Sequence, residues 1–201
     1  MAVKELLGQL HEVAECPRKQ LERYLGEGRK VIAMAPVYGP QEIVHSMGLV
    51  PMGVWGADVE INEAKKYYPA FICSVMQTIL ELGIKGEYKG VSAIIIPSLC
   101  DSLKTLGQNW KYAVADIPFI PMTYPQNRKQ DYGIKFTRAG YGRVISSLEV
   151  ATGARFSEPA LVKSNAIYNE HNRVMRNLRR LHPMRISRQP REAMCLRAHG
   201  L

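Results

Sequence analysis

The chain has little of several things, and each shortage excludes a class of protein. No apolar run approaches the roughly 18 residues that a membrane helix needs. Residues 1–25 are a charged amphipathic pattern without the apolar core of a signal peptide. No membrane partner is expected, and the expected compartment is the cytoplasm. There are only four cysteines, Cys16, Cys73, Cys100 and Cys195, too scattered for a disulfide framework or a CxxC-type site. Walker A, GxGxxG, GxSxG and HExxH are all missing. There is no internal repeat and no low-complexity tract.

Lysine stops at Lys163. Residues 171–201 carry eight arginines, one acid and no lysine, whereas residues 1–170 carry 19 basic and 17 acidic residues. The formal charge of +9 is therefore a C-terminal feature and not a surface-wide nucleic-acid footprint. Arg173, Arg176, Arg179 and Arg180 read as a solvated helix face, and no nucleic-acid partner is expected.

What is present alternates between two periodicities. Residues 2–25 predict a helix with an apolar face of Leu6, Leu7, Leu10 and Val13, interrupted at Cys16-Pro17. Val31 to Ala35 is a short continuous apolar run, the pattern of a buried parallel strand. A helix over 41–47 and a strand over 49–56 follow. Val91 to Ile96 and Ile117 to Tyr124 predict two more strands. Helical spacing returns after Cys73, after Cys100, and over 134–154 and 158–181. This alternation predicts an α/β fold: an open, mostly parallel, doubly wound sheet with flanking helices and a C-terminal helical extension. One domain is expected over 1–182, its extension spanning 134–182. Residues 183–201 are expected to be an irregular, Arg-rich, loosely attached tail.

Two stretches organise the chain, Tyr68 to Cys73 and Ala93 to Asp101. Each is an apolar run that stops at a cysteine and gives way to a helical pattern. Both thiols are thus expected at strand ends and helix N-termini. A helix N-terminus favours the anionic form of a thiol placed there, and a thiolate is what a metal or cluster binds. Two readings stand: inert buried cysteines, or two ligands presented at one sheet edge. Two thiolates are too few for an ordinary iron–sulfur cluster. In an open α/β sheet the ligand lies beyond the carboxyl ends of the strands, where Tyr38, Trp55, Cys73, Cys100 and Tyr124 are expected to gather. His45 reads as a core histidine, and Glu42 as an exposed helix-start acid or a ligand contact.

The runs Pro36 to Gly48, Tyr68 to Cys73, Ile96 to Asp101 and Pro118-Phe119-Ile120 resemble the 2-hydroxyacyl-CoA dehydratase family, also called the D-component or benzoyl-CoA reductase-like family. The resemblance covers residues 1 to about 182. It implies that Cys73 and Cys100 are ligands of a [4Fe-4S] cluster, with Tyr38, Glu42, His45 and Trp55 as pocket-lining candidates. It implies a second dehydratase subunit, an ATP-dependent activator that delivers one electron, and an acyl-CoA substrate dehydrated through a ketyl radical. The family's third cysteine ligand lies in a second α/β domain and has no counterpart at Cys195. The expected function is an iron–sulfur subunit, or its N-terminal part, inactive as this chain alone. The alternative is a non-catalytic α/β fragment that binds a partner subunit or acyl-CoA without a complete cluster. Either the chain is expected to be a truncated or split subunit, or its tail to derive from a shifted reading frame, which the change in arginine and lysine usage fits.

Overall fold

The computed structural model describes residues 3–35 and 38–181. Among them are four strands: β1 (Val31–Met34), β2 (Val50–Gly53), β3 (Ala93–Pro97) and β4 (Phe119–Met122). All are parallel, in the order β2-β1-β3-β4. Seven α-helices are described: α1 (Val3–Glu15), α2 (Pro17–Gly26), α3 (Gln41–Ser46), α4 (Ser74–Ile84), α5 (Asp101–Ala113), α6 (Asp131–Thr152) and α7 (Glu158–Leu181). None of the described helices is long and apolar enough to cross a membrane.

The central strands β1 and β3 are apolar without alternation and buried on both faces, whereas the edge strands β2 and β4 are only partly buried. Val31, Ala33, Ile94 and Ile96 point to one layer, with Leu21 of α2, Ile79 and Leu80 of α4, and Leu106 and Trp110 of α5. Ile32, Met34, Ile95 and Ile120 point to the other, with Ile43 and Val44 of α3, and Val144 and Leu148 of α6. Each of the fully buried side chains contributes roughly 1.5–3 kcal/mol over an exposed one. α7 packs on α3, so the C-terminal helices close the second layer. The chain leaves β1 in one direction to β2 and in the other to β3. That reversal is the topological switch point, with its crevice at the carboxyl ends of β1 and β3.

One expectation is overturned. Tyr68 to Cys73 is a turn and not a strand. The Ile72 N–H donates to the Pro69 carbonyl at 3.2 Å, and Phe71 is 85% exposed. Pro69 removes a ladder donor, and neither edge strand, β2 or β4, takes this run as a partner. α6 also starts earlier than the apolar spacing suggested, at Asp131. The expected tail at 183–201 and Cys195 lie outside the described residues.

Candidate functional site

Cys73 and Cys100 hold equivalent positions. Cys73 immediately precedes α4 and Cys100 immediately precedes α5. The two helices lie in one layer against each other, and both run antiparallel to β3. Their N-termini therefore both lie at the carboxyl edge of the sheet. Both cysteines are exposed, and neither side chain caps its helix. The unpaired N–H groups of two helix starts make this edge electropositive.

Short polar contacts hold the two loops. Ahead of Cys73, the Gln77 side chain donates to the Ile72 carbonyl at 2.6 Å. Ahead of Cys100, the Ser98 N–H donates to the Met122 carbonyl at 2.7 Å, and its hydroxyl to Thr123 Oγ1 at 3.1 Å. Asp101 is a first-turn acid of α5, paired with Lys104 at 3.1 Å. Trp55, 53% exposed, follows β2. A Cβ on its neighbour Gly56 would lie 2.7 Å from Thr78 Oγ1 and 3.1 Å from the Val75 Cα. Only glycine lets this loop lie so close to the first turns of α4, and it brings Trp55 to the Cys73 side.

Tyr68 lies under the same turn, 7% exposed. Its hydroxyl has no hydrogen-bond partner among the described residues. The nearby Asn109 amide is engaged with the Tyr67 carbonyl at 2.7 Å. Burial pushes the phenol pKa up; the Asn109 contact opposes this, and the charge of a Cys73 thiolate adds to it. A donor is thus left unspent within electrostatic reach of Cys73.

The other candidates sit at the same edge but on the opposite side of the sheet. Tyr38 is exposed. Its carbonyl accepts the Tyr124 hydroxyl at 2.6 Å, so a residue following edge strand β4 reaches across to the loop after β1. Glu42 is half-buried. Burial raises the pKa of both Tyr124 and Tyr168, and the nearby Glu42 carboxylate raises it further. His45 is tied to α7: its Nδ1 lies 2.9 Å from Ser164 Oγ, and its ring meets Tyr168 edge-on at 5.7 Å. The Ser164 hydroxyl donates to the Glu42 carbonyl at 2.9 Å. It is therefore an acceptor toward His45, which assigns the imidazole proton to Nδ1. The structure thus brings Trp55, Cys73 and Cys100 to one side, and Tyr38, Glu42 and His45 to the other.

Two residues that organise this region carry little signal in the sequence. Ser164 is 1% exposed, a small polar residue in the helical stripe Leu161, Ser164, Tyr168; that spacing is the sign that could have found it. Glu81 is fully buried and accepts the Ala64 N–H at 2.7 Å, which pins the turn ahead of Tyr68 to α4.

Two exposed thiols at the starts of adjacent helices fit two ligands of an iron–sulfur cluster. The set is incomplete: among the described residues no three His, Cys, Asp or Glu side chains are grouped to hold a metal ion.

Residues 36–196 match the family model described as 2-hydroxyglutaryl-CoA dehydratase, D-component. The chain is 43% identical over 165 residues to the (R)-phenyllactyl-CoA dehydratase beta subunit of Clostridium sporogenes, covering 82% of this chain and 44% of that one. It is 43% identical over 176 residues to the lactoyl-CoA dehydratase subunit beta of Anaerotignum propionicum, covering 87% and 46%. It is 34% identical over 183 residues to the (R)-2-hydroxyglutaryl-CoA dehydratase beta subunit of Acidaminococcus fermentans, covering 90% and 48%. The chain spans less than half the length of these relatives. A match over four-fifths of the chain, spanning the residues that build this sheet edge, places the protein in the 2-hydroxyglutaryl-CoA dehydratase D-component family.

Proposed function

We propose that this chain is part of a 2-hydroxyacyl-CoA dehydratase component in which Cys73 and Cys100 supply two thiolate ligands to a [4Fe-4S] cluster. The observation that carries this is the equivalent placement of two exposed thiols at the N-termini of adjacent helices. Two helix starts offset the negative charge that thiolates and sulfides bring together. A low-potential cluster held there would supply one electron to a thioester carbonyl; the ketyl so formed would release the α-hydroxyl as hydroxide, then lose the β-proton and return the electron, so that the net change is loss of water.

The chain's own residues bind and exclude water. Trp55 covers the Cys73 side, and Tyr38 with the Glu42 carboxylate walls the other. A further ligand and a cover for the open edge come from elsewhere, because the described residues offer only two exposed thiols, Cys16 being buried. A second dehydratase subunit and an ATP-dependent activator are the partners this reading requires, and the chain alone is expected not to turn over. The incomplete ligand set also supports a second reading: a non-catalytic α/β fragment that binds a partner subunit or acyl-CoA and holds no complete cluster.

Anaerobic reconstitution with iron and sulfide tests the assignment. Cys73→Ser and Cys100→Ser each abolish the broad visible absorption, and Cys16→Ser retains it. Undiminished iron binding in both exposed-cysteine variants overturns the ligand assignment. A wild-type chain that takes up no iron favours the fragment reading.

A further inference from the structure

Beyond the end of β4 lies an open surface groove of about 440 Å³, lined by Tyr124, Arg128, Ile134, Thr137, Arg138 and Tyr141. Ile134, Thr137, Arg138 and Tyr141 are spaced three, one and three residues apart, which is one face of α6. Arg128 joins that face because the preceding loop is pressed onto the first turn of the helix. A Cβ at Gly133 would collide with the Asn127 carbonyl oxygen and lie 3.3 Å from the Arg128 Cα. Two guanidinium groups are thus brought to one hollow. Both residues are exposed, and among the described residues neither makes an ion pair with a carboxylate.

The surroundings reinforce the charge. Between Pro125 and Arg138 there are four basic residues, Arg128, Lys129, Lys135 and Arg138, against one acid, Asp131. Like charges gathered without a carboxylate partner repel one another, and an anion in the groove relieves that repulsion. The guanidinium fork matches phosphate oxygens in two-point geometry. The other polar groups of the wall are largely spent. The Thr137 hydroxyl donates to the Gly133 carbonyl at 2.9 Å, and the Tyr124 hydroxyl to Tyr38. Tyr124 and Tyr141 are half-buried and offer ring surface on which a base can lie. The volume lies within the range of small-ligand sites.

We infer that this groove takes the phosphorylated adenine nucleotide end of a coenzyme A thioester, with Arg128 and Arg138 on phosphate oxygens and the base against the tyrosine wall. The inference rests on the acyl-CoA reading above and gives it an anchoring site. The Tyr124–Tyr38 hydrogen bond joins the groove wall to the loop after β1, at the crevice. A nucleotide held here leaves its thioester arm free to extend toward the α4 and α5 N-termini. The same chemistry would accept a free nucleotide, and the two sources are separable.

Calorimetric titration of the full 201-residue chain, without iron, tests it. Coenzyme A is expected to bind one to one, while pantetheine, which lacks the nucleotide, does not. Arg128→Gln and Arg138→Gln each weaken coenzyme A binding by about tenfold or more, as loss of a charged hydrogen bond requires. Arg143→Gln removes the same charge from the same helix outside the groove and changes affinity less than about twofold, since a distant exposed charge is screened. Circular dichroism confirms that the variants fold. No coenzyme A binding at millimolar concentration overturns the inference. So does equal weakening by all three variants, which would mark diffuse attraction and no site. ADP binding as tightly as coenzyme A overturns the thioester assignment in favour of a free nucleotide. The titration uses cluster-free protein, so failure of the cluster assignment leaves its outcome intact, and failure here leaves the iron stoichiometry untouched.

Discussion

Cys73 and Cys100 lie one residue ahead of two adjacent helices that begin at the same edge of the sheet. Their environment differs sharply from that of Cys16, which precedes α2 and is only 7% exposed. Thiol reactivity follows access as well as charge. Iodoacetamide is therefore expected to label Cys73 and Cys100 about tenfold faster, or more, than Cys16 in the native chain. Peptide mass mapping over time, repeated in denaturant, checks this. Equal native labelling of all three would contradict the placement.

The approach of α4 to α5 depends on Gly83. A Cβ there would sit 2.9 Å from both Trp110 Cη2 and Val114 Cγ2. Trp110 cannot retreat, being fully buried with its indole N–H on the Ile117 carbonyl at 3.1 Å. In a free helix Gly→Ala stabilises by about 1 kcal/mol. Here overpacking outweighs that gain, and Gly83→Ala is expected to lose roughly 1–3 kcal/mol. Urea denaturation measures it, and a stabilised variant would show that the two helices can part.

How much of this was readable before folding depends on the range of the interaction. Val31 to Ala35 and Ala93 to Ile96 announce buried parallel strands because a strand covered on both faces needs no polar residue. The helix starts after Cys73 and Cys100 follow from local spacing. Tyr68 to Cys73 looked the same as those strands, being short and apolar, yet it turns at Pro69. Whether such a run joins a sheet depends on which strand is free to pair, and that is a property of the assembled order. The cation cluster at Arg128 and Arg138 was equally hidden. Residues 1–170 are almost neutral, and only the press of the Asn127 loop onto Gly133 gathers the arginines. Ser164 looked like any serine in a helix until α3 arrived with a carbonyl and an imidazole.

That serine makes a second measurable tie. Its hydroxyl donates to the Glu42 carbonyl and accepts from His45 Nδ1 at the α3–α7 contact. Ser164→Ala leaves both groups without a partner and is expected to cost about 1–2 kcal/mol. A double-mutant cycle with His45→Ala should show coupling, because the two side chains share one bond. Amide exchange along α7 should quicken in Ser164→Ala and stay unchanged in α5. Additive effects would mean that His45 holds α7 through its ring contact with Tyr168 alone.

Glu81 links the turn ahead of Cys73 to the acid stability of the protein. Its side chain is fully buried, with one oxygen on the Ala64 N–H at 2.7 Å and the other 3.0 Å from Lys85 Nζ. Burial alone would raise the carboxyl pKa, but the Ala64 N–H and the Lys85 ammonium outweigh it, and the net direction is down. In the unfolded chain the group returns to its ordinary value of 4.5. A carboxyl whose folded pKa is depressed stabilises fully above the unfolded value, and that stabilisation is lost as pH falls through the folded one. Glu81→Gln keeps an acceptor for Ala64 but takes away the carboxylate partner of Lys85, whose Nζ retains the Glu60 carbonyl at 3.3 Å. Lys85 is 44% exposed, so water screens much of that pair. The variant should lose roughly 1–3 kcal/mol at pH 7, most of it from the charged hydrogen bond to Ala64. Denaturant midpoints of both proteins at pH 7, 5 and 3 should converge at the acid end, because the wild-type carboxyl is then taking up its proton. A gap that stays constant across that range would show that the buried charge adds nothing to the hold on the Ala64 turn.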